Sequence, residues 1–229
     1  MKKIGVGITT FNRPNEILNF QEKFEEAWDF ESSYAYPTIH IAEDSHENRR
    51  GVAKVKNECL FHLKDCDYIF LFDDDCFPIK KGWHELVINA FLETGNHHFS
   101  YTREPFCKKN GTYCHKNITL ESFFGSGGVF MFYTKECIEK VGGFYTGYGY
   151  YGFEHMGHSM RIKKAQLTQD WFLSIKELKE YIYAKDFEVE GFFDNNSSIS
   201  KEEKASFTDE SRKAWLHEDI IIKRPIIFT

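Results

Sequence analysis

The sequence predicts an α/β fold with a mainly parallel sheet flanked by helices, and three observations carry that prediction. Apolar strand-like runs alternate with stretches of helical periodicity through the first two thirds of the chain, in the order βαβαβ. Polar clusters at 9–13, 43–45 and 73–75 each fall just after such a run, where parallel sheets place their ligand sites. The 229 residues are 41% hydrophobic and 17% aromatic, with 23 Phe and 12 Tyr, enough to bury a real core.

Each element follows from its residues. Lys3–Thr10 is rich in β-branched residues and ends at Asn12-Arg13-Pro14, where proline can open a helix. Ile17, Leu18, Phe20, Phe24, Ala27 and Trp28 then recur at helical spacing. Thr38–Ala42 predicts a second strand, Val52–Leu63 a helix, Tyr68–Phe72 a buried strand, and Trp83–Leu92 the next helix. From His97 to Ser122 the pattern breaks into short strands and loops. Gly125–Tyr133 predicts a strand with a glycine-rich approach, and Thr134–Val141 a helix stopped by Gly142-Gly143. Residues 144–153 are mostly Gly, Tyr and Phe, ahead of a helix from Glu154 to about Ala165. The tail predicts a polar loop at 194–198, a charged helix near 201–216 and a last apolar strand, Ile220–Phe228. The expected organisation is a core over 1–165, in two halves that divide at about 95, completed by an extension over 166–229.

Composition excludes several function classes. That much apolar ring surface is incompatible with a mainly disordered chain. No apolar run approaches the roughly 18 residues of a membrane-spanning helix. The start, Met1–Ile8, reads as a first strand and not a leader. Six scattered cysteines without an export signal predict reduced thiols and a cytoplasmic protein. A net charge of −6 argues against a broad nucleic-acid surface, though it does not exclude a nucleic-acid acceptor.

Asp73-Asp74-Asp75 places three carboxylates directly after the strand Tyr68–Phe72. Adjacent like charges repel, and a hard divalent ion such as Mg²⁺ or Mn²⁺ removes that repulsion while leaving positions for phosphate oxygens. A solvated acidic turn satisfies the same pattern. The other strand-end clusters favour the ion.

Several ordered blocks over roughly residues 4–165 resemble the GT-A-fold, nucleotide-sugar glycosyltransferases of the family-two type. Ile8–Arg13 looks like the first-strand block bordering the nucleotide. Glu43-Asp44-Ser45 stands where the family has an acidic pair that recognises the base. Gly51–Asn57 is similar to the Gly-x-Ala-x-x-Arg-Asn helix, with Lys56 for Arg, and Asp73–Asp75 occupies the Asp-x-Asp position. Gly127-Gly128-Val129 and Val141–Phe144 are similar to acceptor-side elements. Gly152–Ile162 looks like the Gly-x-Glu-Asp-x-Asp-x-Ser-x-Arg block, and Tyr148–Gly152 resembles the Trp-Gly-rich loop of galactosyl- and N-acetylgalactosaminyl-transferases.

The resemblance implies a GT-A fold and a metal-dependent transfer from a nucleotide-diphosphate sugar, a UDP-sugar by preference, to a hydroxyl on a glycan or other acceptor. It assigns the metal, Mn²⁺ or Mg²⁺, to Asp73 and Asp75, with His217 or His158 as a further ligand. Thr9, Phe11, Arg13, Asp44, Lys56, Asp73 and Asp74 are the expected nucleotide contacts. Gly127, Gly128, Tyr148, Tyr150 and Tyr151 are expected on the acceptor and sugar side. His155 replaces the aspartate that serves inverting members as base, so Glu154 and His155 share the catalytic expectation. A nucleotidyltransferase with a similar nucleotide site, or a catalytically silent carbohydrate-binding relative, are the alternatives. A zinc site from Cys107, Cys114 and His115 near His97-His98 is a further possibility in the pattern, though its spacing is not the tight Cys-x2-Cys.

Overall fold

The computed structural model describes residues 2–188, 199–216 and 221–229. Its centre is a five-stranded sheet in the order β2 (Thr38–Asp44), β1 (Ile4–Phe11), β3 (Tyr68–Asp73), β8 (Phe130–Thr134), β5 (His98–Ser100). The first three strands are parallel, joined by α1 (Pro14–Ala27) and α2 (Val52–His62). Strand β8 runs antiparallel to both neighbours. Two smaller sheets flank this one: β10 (Ile182–Ala184) pairs with β4 (Cys76–Pro78), and β7 (Thr119–Phe123) lies between β6 (Lys109–Cys114) and β9 (Leu173–Ile175).

The two faces of β1 show how sequence sets the layers. Ile4, Val6 and Ile8 point to one face and pack with Phe20, Phe24 and Trp28 of α1 and its exit, and with Trp83 of α3 (Trp83–Thr94). Gly5 and Gly7 point to the other, where α2 lies so close that a Cβ on Gly7 would sit 2.7 Å from the Cβ of Cys59. On that side α2, α4 (Lys135–Val141) and α5 (Glu154–Lys164) enclose the second core, around Leu60, Leu71, Met131 and Ile162. Leu18, expected on the apolar stripe of α1, is exposed. The six cysteines are all free thiols.

Two expected strands are corrected. The strand predicted over Gly125–Tyr133 begins only at Phe130, because 125–129 leave the sheet to form a loop over the sheet's end. The last apolar segment is no ladder strand over its described part: one bridge joins Arg224 to Gly142, and Pro225, without an N–H, cannot extend it. Asn57 Nδ2 holds this tail by donating to the carbonyl of Ile227 at 2.8 Å and to that of Phe144 at 3.0 Å. The polar loop predicted at 194–198 lies outside the described residues. Among those described, no helix is long and apolar enough to cross a membrane.

Candidate active site

Parallel register brings the polar strand ends side by side. Thr9 is the Cα partner of Asp73, and Phe11 that of Asp44, so the ends of β1, β2 and β3 form one wall. Opposite stand the loop 125–129, the Tyr-Gly-rich segment 150–153 and the start of α5. Between them lies a cleft of about 410 Å³. Its lining includes Thr9, Phe11, Arg13, Asp44, Lys56, Asp73, Asp75, Gly127, Gly128, Tyr150, Tyr151, Glu154 and His155, all singled out in the sequence.

The three aspartates have separate fates. Asp73 and Asp75 face the cleft. Asp73 accepts from Thr9 Oγ1 at 2.7 Å, and burial, only partly countered by Lys56, pushes its carboxyl up. Asp74 turns the other way and is fully buried, correcting its expected nucleotide contact. Thr10 Oγ1 donates to it and Arg13 clamps it through Nε at 3.1 Å and a second guanidinium nitrogen. Burial outweighs that support and pushes the Asp74 carboxyl up to about 7. Arg13 also donates to Asp75 at 2.8 Å. Burial works against its charge, but Asp75 and Asp74 more than offset the loss and hold it protonated.

Lys56 is likewise spent inside the protein. It is buried, donates to the Gly128 carbonyl at 2.9 Å and to Glu154 at 3.2 Å, and lies 3.6 Å from Asp73. It ties the two walls together where the sequence suggested a ligand for the nucleotide. A Cβ on Gly128 would meet both Lys56 Nζ and His155 Nδ1 at 2.9 Å, so a side chain there would displace one or both of them. Asp44 accepts from the backbone N–H groups of Ser45, Arg50 and Gly51 at 3.0, 2.8 and 2.9 Å, so it shapes the 45–51 loop as well as lining the cleft.

Glu154, although buried, is held well below the usual carboxylate range by Lys56 and His155, whose pull exceeds the cost of burial. Its Oε1 lies 3.2 Å from His155 Nδ1, while His155 Nε2 lies 2.9 Å from the carbonyl oxygen of Ser126. The imidazole therefore sits between a carboxylate and a carbonyl. For Nε2 to accept a proton from a ligand, the Ser126 carbonyl would have to give way.

Other placements depart from expectation. Tyr148 is buried outside the cleft, with its hydroxyl against Gly157 and its carbonyl accepting from Ser211 Oγ. Its role is to seat the loop on α5 and on α6 (Lys201–Leu216), not to meet a sugar. His158 is also buried outside the cleft, bonded to Tyr133 Oη at 3.2 Å and the Gly142 carbonyl at 3.0 Å, and so is no metal ligand there. His217 lies outside the described residues. Cys107, Cys114, His97, His98 and His115 do not assemble a metal cluster. The one group of three such ligands gathered among the described residues lies elsewhere.

Among the side chains on the cleft that sequence reasoning missed are Arg49, Ser126, Asp186 and Lys204. Arg49 sits 5.2, 5.1 and 4.5 Å from the ring centres of Phe11, Tyr150 and Phe207 and pairs with Glu203 at 3.4 Å, fastening α6 at the cleft. Ser126 Oγ is buried without a hydrogen-bond partner among the described residues. Asp186 follows β10; loss of water on its cleft side, with Asp75 and Asp73 near, pushes its carboxyl up to about 6. No motif marks Asp186 or Lys204, because pairing of β10 with β4 and the course of α6 bring them to the site.

The two carboxylates Asp73 and Asp75 on the cleft offer hard oxygens suited to Mg²⁺ or Mn²⁺, an ion that would take its further ligands from a phosphate. Asp73 and Asp75 are the residues that would hold such an ion.

No family model matches the chain. An uncharacterised glycosyltransferase of Acanthamoeba polyphaga mimivirus is 31% identical over 132 residues, 55% of this chain and 51% of that protein; the chain thus spans about half the length of the curated relative it matches. Among solved structures, Staphylococcus aureus TarS in complex with UDP-GlcNAc is similar over 95% of this chain and 67% of that one, at 12% identity and TM-score 0.56. GalNAc-T7 with UDP, GalNAc and Mn²⁺ is similar over 76% of this chain and 42% of that one, at 8% identity and TM-score 0.57. The chain has the GT-A glycosyltransferase fold.

Proposed function

We propose that this protein is a metal-dependent glycosyltransferase that moves a sugar from a nucleotide-diphosphate sugar, in the first place a UDP-sugar, to a hydroxyl on a glycan or similar acceptor. The observation that carries this reading is the pair Asp73 and Asp75 at the end of β3, facing the Glu154–His155 pair across one cleft. The relatives support it: TarS was solved with UDP-GlcNAc and GalNAc-T7 with UDP, GalNAc and Mn²⁺.

Charge builds on the leaving diphosphate as the glycosidic bond breaks, and a bound divalent ion supplies Lewis-acid stabilisation there. The chain's own cations divide between framework and ligand. Arg13, Arg49 and Lys56 are paired with carboxylates, whereas Lys204 lines the cleft without an ion pair among the described residues. Lys204 is therefore the cation assigned to the diphosphate. Asp186 stands with Asp73 and Asp75 on the metal side. Phe11 and Asp44 border the base.

For an inverting displacement, His155 Nε2 takes the acceptor proton while Glu154, held ionised, accepts from Nδ1 and orients the ring. The acceptor hydroxyl replaces the Ser126 carbonyl as the partner of Nε2. Gly125, Gly127 and Gly128 surround Ser126 and give its loop the freedom to yield. Ser126 Oγ and Tyr151 are the acceptor-side polar groups.

Calorimetric titration with UDP, GDP and CDP, each with Mn²⁺ and again with excess chelator, tests the assignment. One nucleotide should bind tightly and lose its affinity on chelation. Binding of none, or binding indifferent to chelator, refutes it.

A further inference from the structure

We infer that His40, Glu58 and His62 form a second metal site, outside the cleft, that takes a transition ion of the zinc class. Each offers one ligand atom, and these atoms all lie within 4.8 Å of one another. None of the three lines the cleft. His40 comes from the middle of β2, while Glu58 and His62 stand four residues apart and so share a face of α2.

The donor set separates this site from the aspartates. Two imidazoles and one carboxylate suit zinc, cobalt or nickel, whereas Asp73 and Asp75 offer only hard oxygens. His40 Nε2 and Glu58 Oε1 are 3.0 Å apart, close to the roughly 3.4 Å between two ligands on a tetrahedral ion with bonds of about 2.1 Å. His62 is exposed in the last turn of α2, and its ring stacks on His40 with centroids 4.0 Å apart. Rotation of the His62 ring out of that stack, between Phe61 and Phe228, closes the set.

The carboxylate is already oriented. Arg50 holds the other oxygen of Glu58. Hydrogen bonding to the oxygen remote from the ion is the usual support for a ligating carboxylate. Three protein ligands leave a fourth position for water or an incoming donor. An ion here would bind β2 to α2 beside Arg50, whose backbone N–H is held by Asp44 at the rim of the cleft. The inference does not depend on the glycosyltransferase reading.

The test uses the untagged full chain in saturating Mg²⁺, which fills the aspartates, with Zn²⁺ titrated in competition with a chromophoric chelator. One zinc should bind per chain at micromolar affinity or better. His62→Ala and His40→Gln should each weaken it at least tenfold, and Asp75→Asn should leave it unchanged. Co²⁺ should give the visible absorption of a low-coordinate ion, absent in His62→Ala. Equal zinc affinity in wild type and His62→Ala overturns the site, as does loss of zinc binding in Asp75→Asn.

Discussion

The two walls of the cleft are built by different means. The wall at the ends of β1, β2 and β3 takes its geometry from backbone register, which sets Thr9 beside Asp73 and Phe11 beside Asp44 before any side chain is considered. The opposite wall, 125–129 and 150–156, has no ladder. Its shape comes from close approach at Gly128 and from Lys56, which bonds Gly128 and Glu154 while lying against Asp73. Register fixes where a charged group stands, but side-chain pairing decides whether it is left for a ligand. Asp73, Asp74 and Asp75 are consecutive, and only Asp73 and Asp75 line the cleft.

The sharpest way to break this contrast is within that triplet. Asp75→Ala should abolish metal-dependent nucleotide binding and lower turnover at least a thousandfold, a loss at the upper end for a single charge-stabilising group. Asp74→Ala should instead cost about 2 kcal/mol of stability, because Thr10 and Arg13 lose a buried acceptor while Arg13 keeps Asp75, and metal-dependent nucleotide affinity should stay within tenfold of wild type. Thermal melts and calorimetry on the two variants decide the matter. Equal loss of nucleotide affinity in both would mean that the triplet acts as one acidic patch.

On the opposite wall, His155→Gln should lower kcat by roughly 10²–10⁴, the span of general acid–base catalysis, with donor affinity nearly intact. A matching loss of donor affinity would make His155 a positioning residue only. Lys204→Ala should weaken nucleoside diphosphate about tenfold, near 1.4 kcal/mol, and leave nucleoside affinity unchanged. An equal effect on nucleoside and diphosphate would place Lys204 away from the phosphates.

The legible part of the molecule follows the same division. The βαβαβ order, the strand-end clusters and the helices Trp83–Thr94 and Glu154–Lys164 could be read from period and composition, since each depends on neighbours in sequence. Arg13 and Lys56 were legible as site residues but not as spent charges, because their partners lie 61 and 98 residues away. Tyr148 shares composition with Tyr150 and Tyr151, yet it packs on Gly157 of a later helix. Asp186 and the His40–Glu58–His62 cluster carry no local signature. They exist only once β10 meets β4 and β2 meets α2.

Asp186 sharpens the comparison with the smallest expected effect, through pH. Its carboxyl stands at about 6 in the fold against an ordinary 3.8, so the folded chain binds that proton more tightly than the unfolded one. Below 3.8 the group is protonated in both states and contributes nothing. As pH rises through the interval, its ionisation disfavours the fold, and the cost is complete above about 6. Asp186→Asn should therefore be more stable than wild type above that point, by up to ~1 kcal/mol for a group partly screened by solvent, with the gain gone near pH 4. Mn²⁺ should narrow or reverse the difference, since an ion favoured by this carboxylate stabilises the wild type by mass action and the variant less. Melting curves from pH 4 to pH 8, with and without Mn²⁺, check both. A stability gain independent of pH would mean that the change acts through packing, and a gain untouched by Mn²⁺ would remove Asp186 from the metal side of the cleft.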